Sequence, residues 1–384
     1  MDFDLSEEQS LLKDSIDRLL ADRYDFRQRA AYGKTAEGWS KEIWAQFAEL
    51  GVLGMPFAES DGGFGGGAVE TMIVMESLGR KLVLEPYLAT IVIGGGLLRH
   101  AANDAQRAKL IPEIAGGTLT LAFAHSERQA RYDLADVATK AQPDGDGWIL
   151  SGEKTLVLNG DSADLLIVSA RVSGTSRSHD GLALFLVDAG APGVTRRGFA
   201  TQDGLRAAEI SLANVRVSKA DVLGAPGEAF PIIARVVDEA IAALCAEAVG
   251  AMSVLHQLTV EYLKTRKQFG VPIGSFQVLQ HRAVDMLVAI EQARSMAFLA
   301  TMMAEEDDTT EREKSIAAAK IQIGKSARLV GQEATQLHGG IGMTMEYEGG
   351  AYFKRLTMIN ILFGDVDHHV RKLARAGGFI KAEG

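Results

Sequence analysis

Two hydrophobic periods divide the chain. Up to about residue 118, apolar positions recur at helical spacing: Leu12, Ile16 and Leu19 share one stripe, and Met72, Met75 and Leu78 share another. Ser6 with Gln9 is a capping-box signature ahead of the first stripe. Ser40 predicts a further helix start, with Trp39 and Trp44 spaced as a hydrophobic staple and Gly51 as the stop. Residues 61–67 read DGGFGGG, but no strand precedes them and no Lys-Ser/Thr follows. They therefore read as a turn between helices rather than a phosphate loop. Pro86 restarts the chain beyond the Met72 stripe.

From about 119 to 225 the period shortens. Residues 118–124, 148–150, 165–172 and 182–187 are short β-rich runs, separated by turns at 143–147 and 190–193. This predicts a small β-barrel or sandwich, with 173–180 as a polar, mobile loop. From about 226 the helical period returns in long segments. Leu279, Ala283, Met286, Ile290 and Ala297 form one stripe; Ile316, Ile323, Ala327, Val330, Ala334 and Leu337 form another. Residues 305–314 read as a charged, exposed loop between them. The class is α+β, with domains expected at 1–118, 119–225 and 226–384.

Composition narrows the function. A chain of 384 residues exceeds one ordinary core, so more than one domain is expected. The net charge of −10 argues against nucleic acid or an anionic membrane as partner. The one cysteine, Cys245, excludes an intramolecular disulfide, lies in an apolar run and suits a reducing cytoplasm. The acidic start MDFDLSEEQS lacks the regions of a signal peptide, and apolar runs such as 91–98 are too short and Gly-broken to span a bilayer.

The densest chemistry lies in 262–286, YLKTRKQFGVPIGSFQVLQHRAVDM. Tyr262 and Arg266, four apart, share a helix face. Arg266 offers a planar fork for a diphosphate, Gln268 an amide, and Phe269 a flat apolar surface. Together they suit a dinucleotide; an ordinary helical hairpin with an exposed Arg and a core Phe fits the same spacing. His368-His369 has no matching ligand cluster and reads as a solvated helix end, so no metal site is expected.

The run R-x-Q-F-G from Arg266, then Ile273, Phe276, Gln277, Gln280, Asp285 and Met286, resembles the acyl-CoA dehydrogenase family. A second block, 336–342 (QLHGGIG), follows at a fitting distance, and the resemblance covers essentially the whole chain. Within the family, the likeness is greatest to the small-subunit branch of pimeloyl-CoA dehydrogenase. The resemblance implies an N-terminal α-helical domain, a central β-barrel domain and a C-terminal four-helix bundle. It also implies FAD, an acyl-CoA thioester substrate, α,β-desaturation and electron-transfer flavoprotein as electron acceptor. The implied partner is a homologous subunit in a heterotetramer, or a second copy in a homodimer or homotetramer.

Transferred residue by residue, the resemblance puts Phe123, His125, Ser126 and Leu158 at the flavin, with Asp365 touching it. Arg266, Gln268, Phe269, Gln277, Gln336, Gly339 and Gly340 would reach the adenosine and diphosphate of a neighbouring subunit's FAD. The family's base, a Glu, falls here on Phe363; the alternative base position falls on Ala240. Neither side chain takes a proton. Asp238 and Glu239 adjoin Ala240 but point elsewhere on the helix, and Asp365 is a weak substitute. The flavin-lining runs also differ, with Arg128, Arg131 and Tyr132 after Ser126, and Leu156 and Leu158 in place of an indole and a hydroxyl. Three readings follow: a subunit of a heteromeric enzyme lacking its own catalytic Glu, a self-sufficient enzyme with an unusual base, or a flavin-binding relative that is not a dehydrogenase.

Overall fold

The computed structural model describes residues 5–344 and 346–377. The first helices are α1 (Glu7–Arg23), α2 (Phe26–Tyr32), α3 (Lys41–Glu49), α4 (Ala68–Lys81), α5 (Gly95–Ala101) and α6 (Asp104–Ala115). Eight strands follow: β1 (Leu121–Ala124), β2 (Lys140–Asp144), β3 (Gly147–Leu158), β4 (Leu165–Arg171), β5 (Leu182–Asp188), β6 (Val194–Ala200), β7 (Arg206–Ser218) and β8 (Val222–Gly227). Then come α7 (Phe230–Thr265), a hairpin of β9 (Lys267–Gln268) and β10 (Val271–Pro272), and α8 (Gln277–Ala304), α9 (Thr309–His338), α10 (Gly349–Ile361) and α11 (Val366–Arg375). The result is an α+β fold with an N-terminal helical region, a central sheet and a C-terminal helix bundle.

Local signals explain the helix ends. The Ser6 and Gln9 box is formed in both directions at the start of α1. Ser40 Oγ accepts from the Ile43 amide, and Trp39 meets Trp44 edge-on at 5.9 Å, which fixes the entry to α3. Gly51 adopts φ 75, a conformation that ends the helix at little cost. The charged 305–314 segment departs from expectation. Only its first residues are loop, because Asp308 caps α9 through the amides of Thr310 and Glu311.

The contacts divide into two compact units: Met1–Arg29 with Ala68–Val83 and Ile241–Gly384, and Ala30–Gly67 with Leu84–Ala240. In the second unit the strands run β6-β7-β3-β2-β4-β5-β8, with β1 parallel to β4. The expected barrel is corrected: the sheet stays open, with β6 and β8 at its edges. β6 presents Arg196 and Arg197 and is mostly exposed, while β8 contains Gly224, Pro226 and Gly227 and pairs with β5 only through Val222 and Leu223. Charge and proline on edge strands resist further pairing. Strands β2, β6 and β8 escape the sequence pattern because few of their positions are buried, while β7 escapes it although much of it alternates buried and exposed positions. The 173–180 loop is not left loose. The Arg171 guanidinium donates to the carbonyls of Ser176, Ser178 and Asp180 at 2.8–2.9 Å and ties the loop to β4.

In the first unit, Ile316, Ile323, Ala327, Val330, Ala334 and Leu337 are all buried along α9, as their period requires. α8, α10 and α11 pack against this helix. Cys245 is buried, and burial pushes its thiol up to about 12, which keeps it protonated and inert.

Candidate functional site

α7 ends where Arg266 N–H bonds to the Tyr262 carbonyl, so both side chains leave the same helical face. The hairpin that follows turns through Phe269 (φ 54) and Gly270 (φ 84). Positive φ at both central positions is the geometry of a two-residue hairpin, and it suits Gly far better than Phe. Phe269 nevertheless holds it, 91% exposed, with an edge contact to Phe276 at 6.3 Å. An apolar ring spent on a strained, exposed tip suits a docking surface better than a core.

The Gln336–Gly340 block lies across from that hairpin. Tyr262, Arg266, Gln268, Gln336, Gly339 and Gly340 line one cleft of about 570 Å³, together with Arg282 and His338. Gly339 sits at φ 62, ψ −139, which L side chains avoid, and a Cβ at Gly339 or Gly340 would meet nothing within 4 Å. The backbone there is bare toward the cleft. Arg282 is neutralised by Glu333 at 2.5 Å, whereas Arg266 has no carboxylate partner among the described residues. Gln277, at the start of α8, and Phe269 are exposed beside this cleft but do not line it. A free guanidinium, side-chain amides and open glycine backbone form a donor set that fits a diphosphate.

Of the residues expected at a flavin ring, Phe123, His125, Ser126 and Leu158 lie in the second unit and Asp365 in the first. Phe123 on β1 and His125 just after it stack at 5.0 Å, and Ser126 is linked to β3 by the Thr155 amide donating to its carbonyl at 2.8 Å. Leu158 ends β3, beyond a bulge between Lys154 and Val157 where Leu156 adopts φ 49. Beneath them is a network that residue patterns do not reveal. Lys154 Nζ donates to Glu127 Oε1 at 2.7 Å and to Ser169 Oγ and the His125 carbonyl at 3.2 Å. Burial alone would raise the Glu127 pKa, but Lys154 and hydrogen bonds from Thr139 and Gln129 bring it to about 2. Burial, then the Lys154 charge, holds His125 down at about 3, so its ring is neutral and is locked to Ser169 at 2.9 Å.

The acids near the two expected base positions sit in different surroundings. Ala240 is fully buried. Glu239 takes Arg99 and His100, each at 2.7 Å, and despite burial these partners hold its carboxyl below the usual range. Asp238 is buried. Asp365 caps α11 by accepting from the His368 amide at 2.8 Å, which engages the carboxylate structurally.

Phe363 occupies φ 57 in a turn gripped by two side chains. Lys320 Nζ donates to the carbonyls of Ile359, Asn360, Leu362 and Gly364 at 2.7–3.0 Å, and His369 Nε2 donates to the Phe363 carbonyl at 3.0 Å. His369 is thus buried, not solvated as expected, and burial followed by the Lys320 charge brings its pKa to about 3. Among the described residues no group of three His, Cys, Asp or Glu is arranged to hold a metal, and no helix is long and apolar enough to cross a membrane.

Models of the acyl-CoA dehydrogenase N-terminal, middle and C-terminal domains match residues 6–118, 122–216 and 230–378. The chain belongs to the acyl-CoA dehydrogenase family. It is 30% identical over 358 residues to the L-prolyl-[peptidyl-carrier protein] dehydrogenase of a Serratia species, covering 90% of each chain. It is 29% identical over 352 residues to the probable acyl-CoA dehydrogenase YngJ of Bacillus subtilis, covering 90% of this chain and 92% of that one. Among solved structures, a Tcur3481-Tcur3483 steroid ACAD variant matches with a TM-score of 0.86 at 29% identity, over 96% of this chain and 97% of the other. The family makes the protein an FAD-dependent oxidoreductase acting on CH–CH bonds of acyl-CoA-like substrates.

Proposed function

We propose that the chain is the subunit of a heteromeric acyl-CoA dehydrogenase, lacking its own catalytic Glu and lending its cleft to FAD shared with a homologous partner. FAD accepts a hydride from the substrate β-carbon when bound. This chain's contribution is binding: Arg266 forks onto the diphosphate, Gln268 and Gln336 supply amides, and Phe269 supplies a ring surface at the hairpin tip. The observation that carries the reading is an asymmetry. Arg266 stands free in an open cleft, while Phe363 and Ala240 occupy both base positions and Glu239 and Asp365 are already engaged.

The resemblance to the small-subunit branch of pimeloyl-CoA dehydrogenase supports a dicarboxylic or otherwise bulky acyl-CoA as substrate. One solved relative carries a paired designation, Tcur3481-Tcur3483, which also favours two different chains. The family supports electron-transfer flavoprotein as the acceptor. Mixing the purified chain anaerobically with acyl-CoAs of several lengths tests the reading through flavin absorbance. Reduction should be slower by about 10²–10⁴ than with a family partner present, the factor a general base supplies. Full bleaching of stoichiometric FAD within seconds, with no second polypeptide, refutes it and favours Asp365 as an unusual base.

A further inference from the structure

The cleft has two walls, the end of α7 with Arg266 and the turn at Gly339–Gly340, and one imidazole ties them together. The ring of His338 lies 4.6 Å from that of Tyr262, one helical turn before Arg266, and 4.6 Å from that of Tyr347 on its other contact. His338 is 3% exposed and directly precedes Gly339. Its Nδ1 is 2.7 Å from the Ala334 carbonyl, which only accepts, so Nδ1 carries the proton. Nε2 is then the acceptor for the Tyr347 hydroxyl at 2.5 Å. Burial keeps the imidazole below its ordinary pKa and therefore neutral.

We infer that the His338–Tyr347 hydrogen bond positions the nucleotide cleft by fixing the separation between Arg266 and the Gly339–Gly340 turn. A Cβ at Gly339 or Gly340 would meet nothing within 4 Å, so no side-chain packing holds the turn from the cleft side; the Gly339 amide bonds back to the Gln336 carbonyl, and His338 directly precedes it. His338 is restrained by its own helix through the Ala334 carbonyl, by the Leu258 backbone, by the Tyr262 ring and by the Tyr347 hydroxyl. Removing the hydroxyl takes away the restraint on Nε2 from the Tyr347 side and lets the turn drift relative to Arg266. A guanidinium fork tolerates little drift, because both of its hydrogen bonds depend on angle. His338 and Tyr347 are positioning residues and are not assigned any contact with ligand.

This inference rests on the reading that the cleft takes the diphosphate half of FAD, so ADP is the probe. Calorimetric titration of ADP into the purified full-length chain compares wild type, Tyr347→Phe, Arg266→Ala and the double variant, with folding verified by circular dichroism. Tyr347→Phe should weaken ADP binding on the order of tenfold, the cost of one hydrogen bond. In that background Arg266→Ala should cost clearly less than it does in wild type, although no hydrogen bond or ring contact joins residues 266 and 347; a role in stability alone would leave the two losses additive. Equal ADP affinity in wild type and Tyr347→Phe, or fully additive losses, overturns the positioning role while leaving the cleft assignment intact. A wild-type chain that binds no ADP overturns both.

Discussion

Lys320→Met tests what holds the Phe363 turn. Lys320 is 1% exposed, and its ammonium has three protons facing four carbonyls, those of Ile359, Asn360, Leu362 and Gly364. Met preserves the length of the stem and removes the donor. A buried acceptor left without a partner costs about 1–3 kcal/mol, so three fully served carbonyls amount to about 3–9 kcal/mol. Against this stands relief from burying a charge. Burial lowers the Lys320 pKa from 10.5 to about 8, and that shift corresponds to about 3 kcal/mol. The carbonyls belong to the backbone and cannot be exchanged for apolar atoms, so the loss should win, by about 3 kcal/mol at the middle of the range. Urea unfolding measures the total, and hydrogen exchange of a peptide spanning 356–366 locates it. A variant as stable as wild type, with unchanged exchange in that peptide, would show that Lys320 is a passenger and that His369 alone grips the turn.

Arg266→Ala should lower the FAD content of the reconstituted assembly, by about 2–5 kcal/mol of binding. Arg266→Lys should also weaken it, since an ammonium lacks the fork; unchanged flavin occupancy in either refutes the assignment. Asp365→Asn should leave turnover of the active assembly near normal and stability almost unchanged, since Asn caps a helix about as well as Asp, whereas abolished turnover with normal FAD binding would make Asp365 the base. Stability should fall between pH 7 and pH 5. His125 and His369 have folded pKa values near 3 against 6.5 unfolded, so the unfolded chain takes up protons first. Each buried ring then costs about 2 kcal/mol at pH 5; equal urea midpoints at the two pH values would contradict this.

The helical stripes and caps were legible in the sequence because each signal is local. Ser6, Ser40 and Gly51 act on amides within four residues, and the α9 stripe buries what its period says it buries. Arg266 and Gln336 were legible for another reason, since two separated blocks with family spacing constrain each other. The sheet was harder. Closure or openness depends on what the edge strands refuse to pair with, and β6 and β8 are too irregular to read as strands at all. The loop at 173–180 reads as mobile from composition, and only the position of Arg171 shows that it is anchored.

The buried lysines were illegible for a deeper reason. Lys154 and Lys320 look like ordinary charged positions, and their partners lie 27 and about 40 residues away in sequence. Yet these two residues decide how the candidate chemistry should be read. A missing base could mean a loosened, degraded turn in which some neighbouring acid swings into place. The turn at Phe363 is the opposite: four carbonyls held by Lys320 and a fifth held by His369 leave it little freedom to bring Asp365 round, and Asp365 is itself fixed as a cap. Rigidity of this kind presents one chosen side chain, and that side chain is a phenyl ring with no lone pair to offer a proton. A turn held this way, with Asp365 engaged as a helix cap, is what supports our proposal that the carboxylate for this reaction comes from another chain.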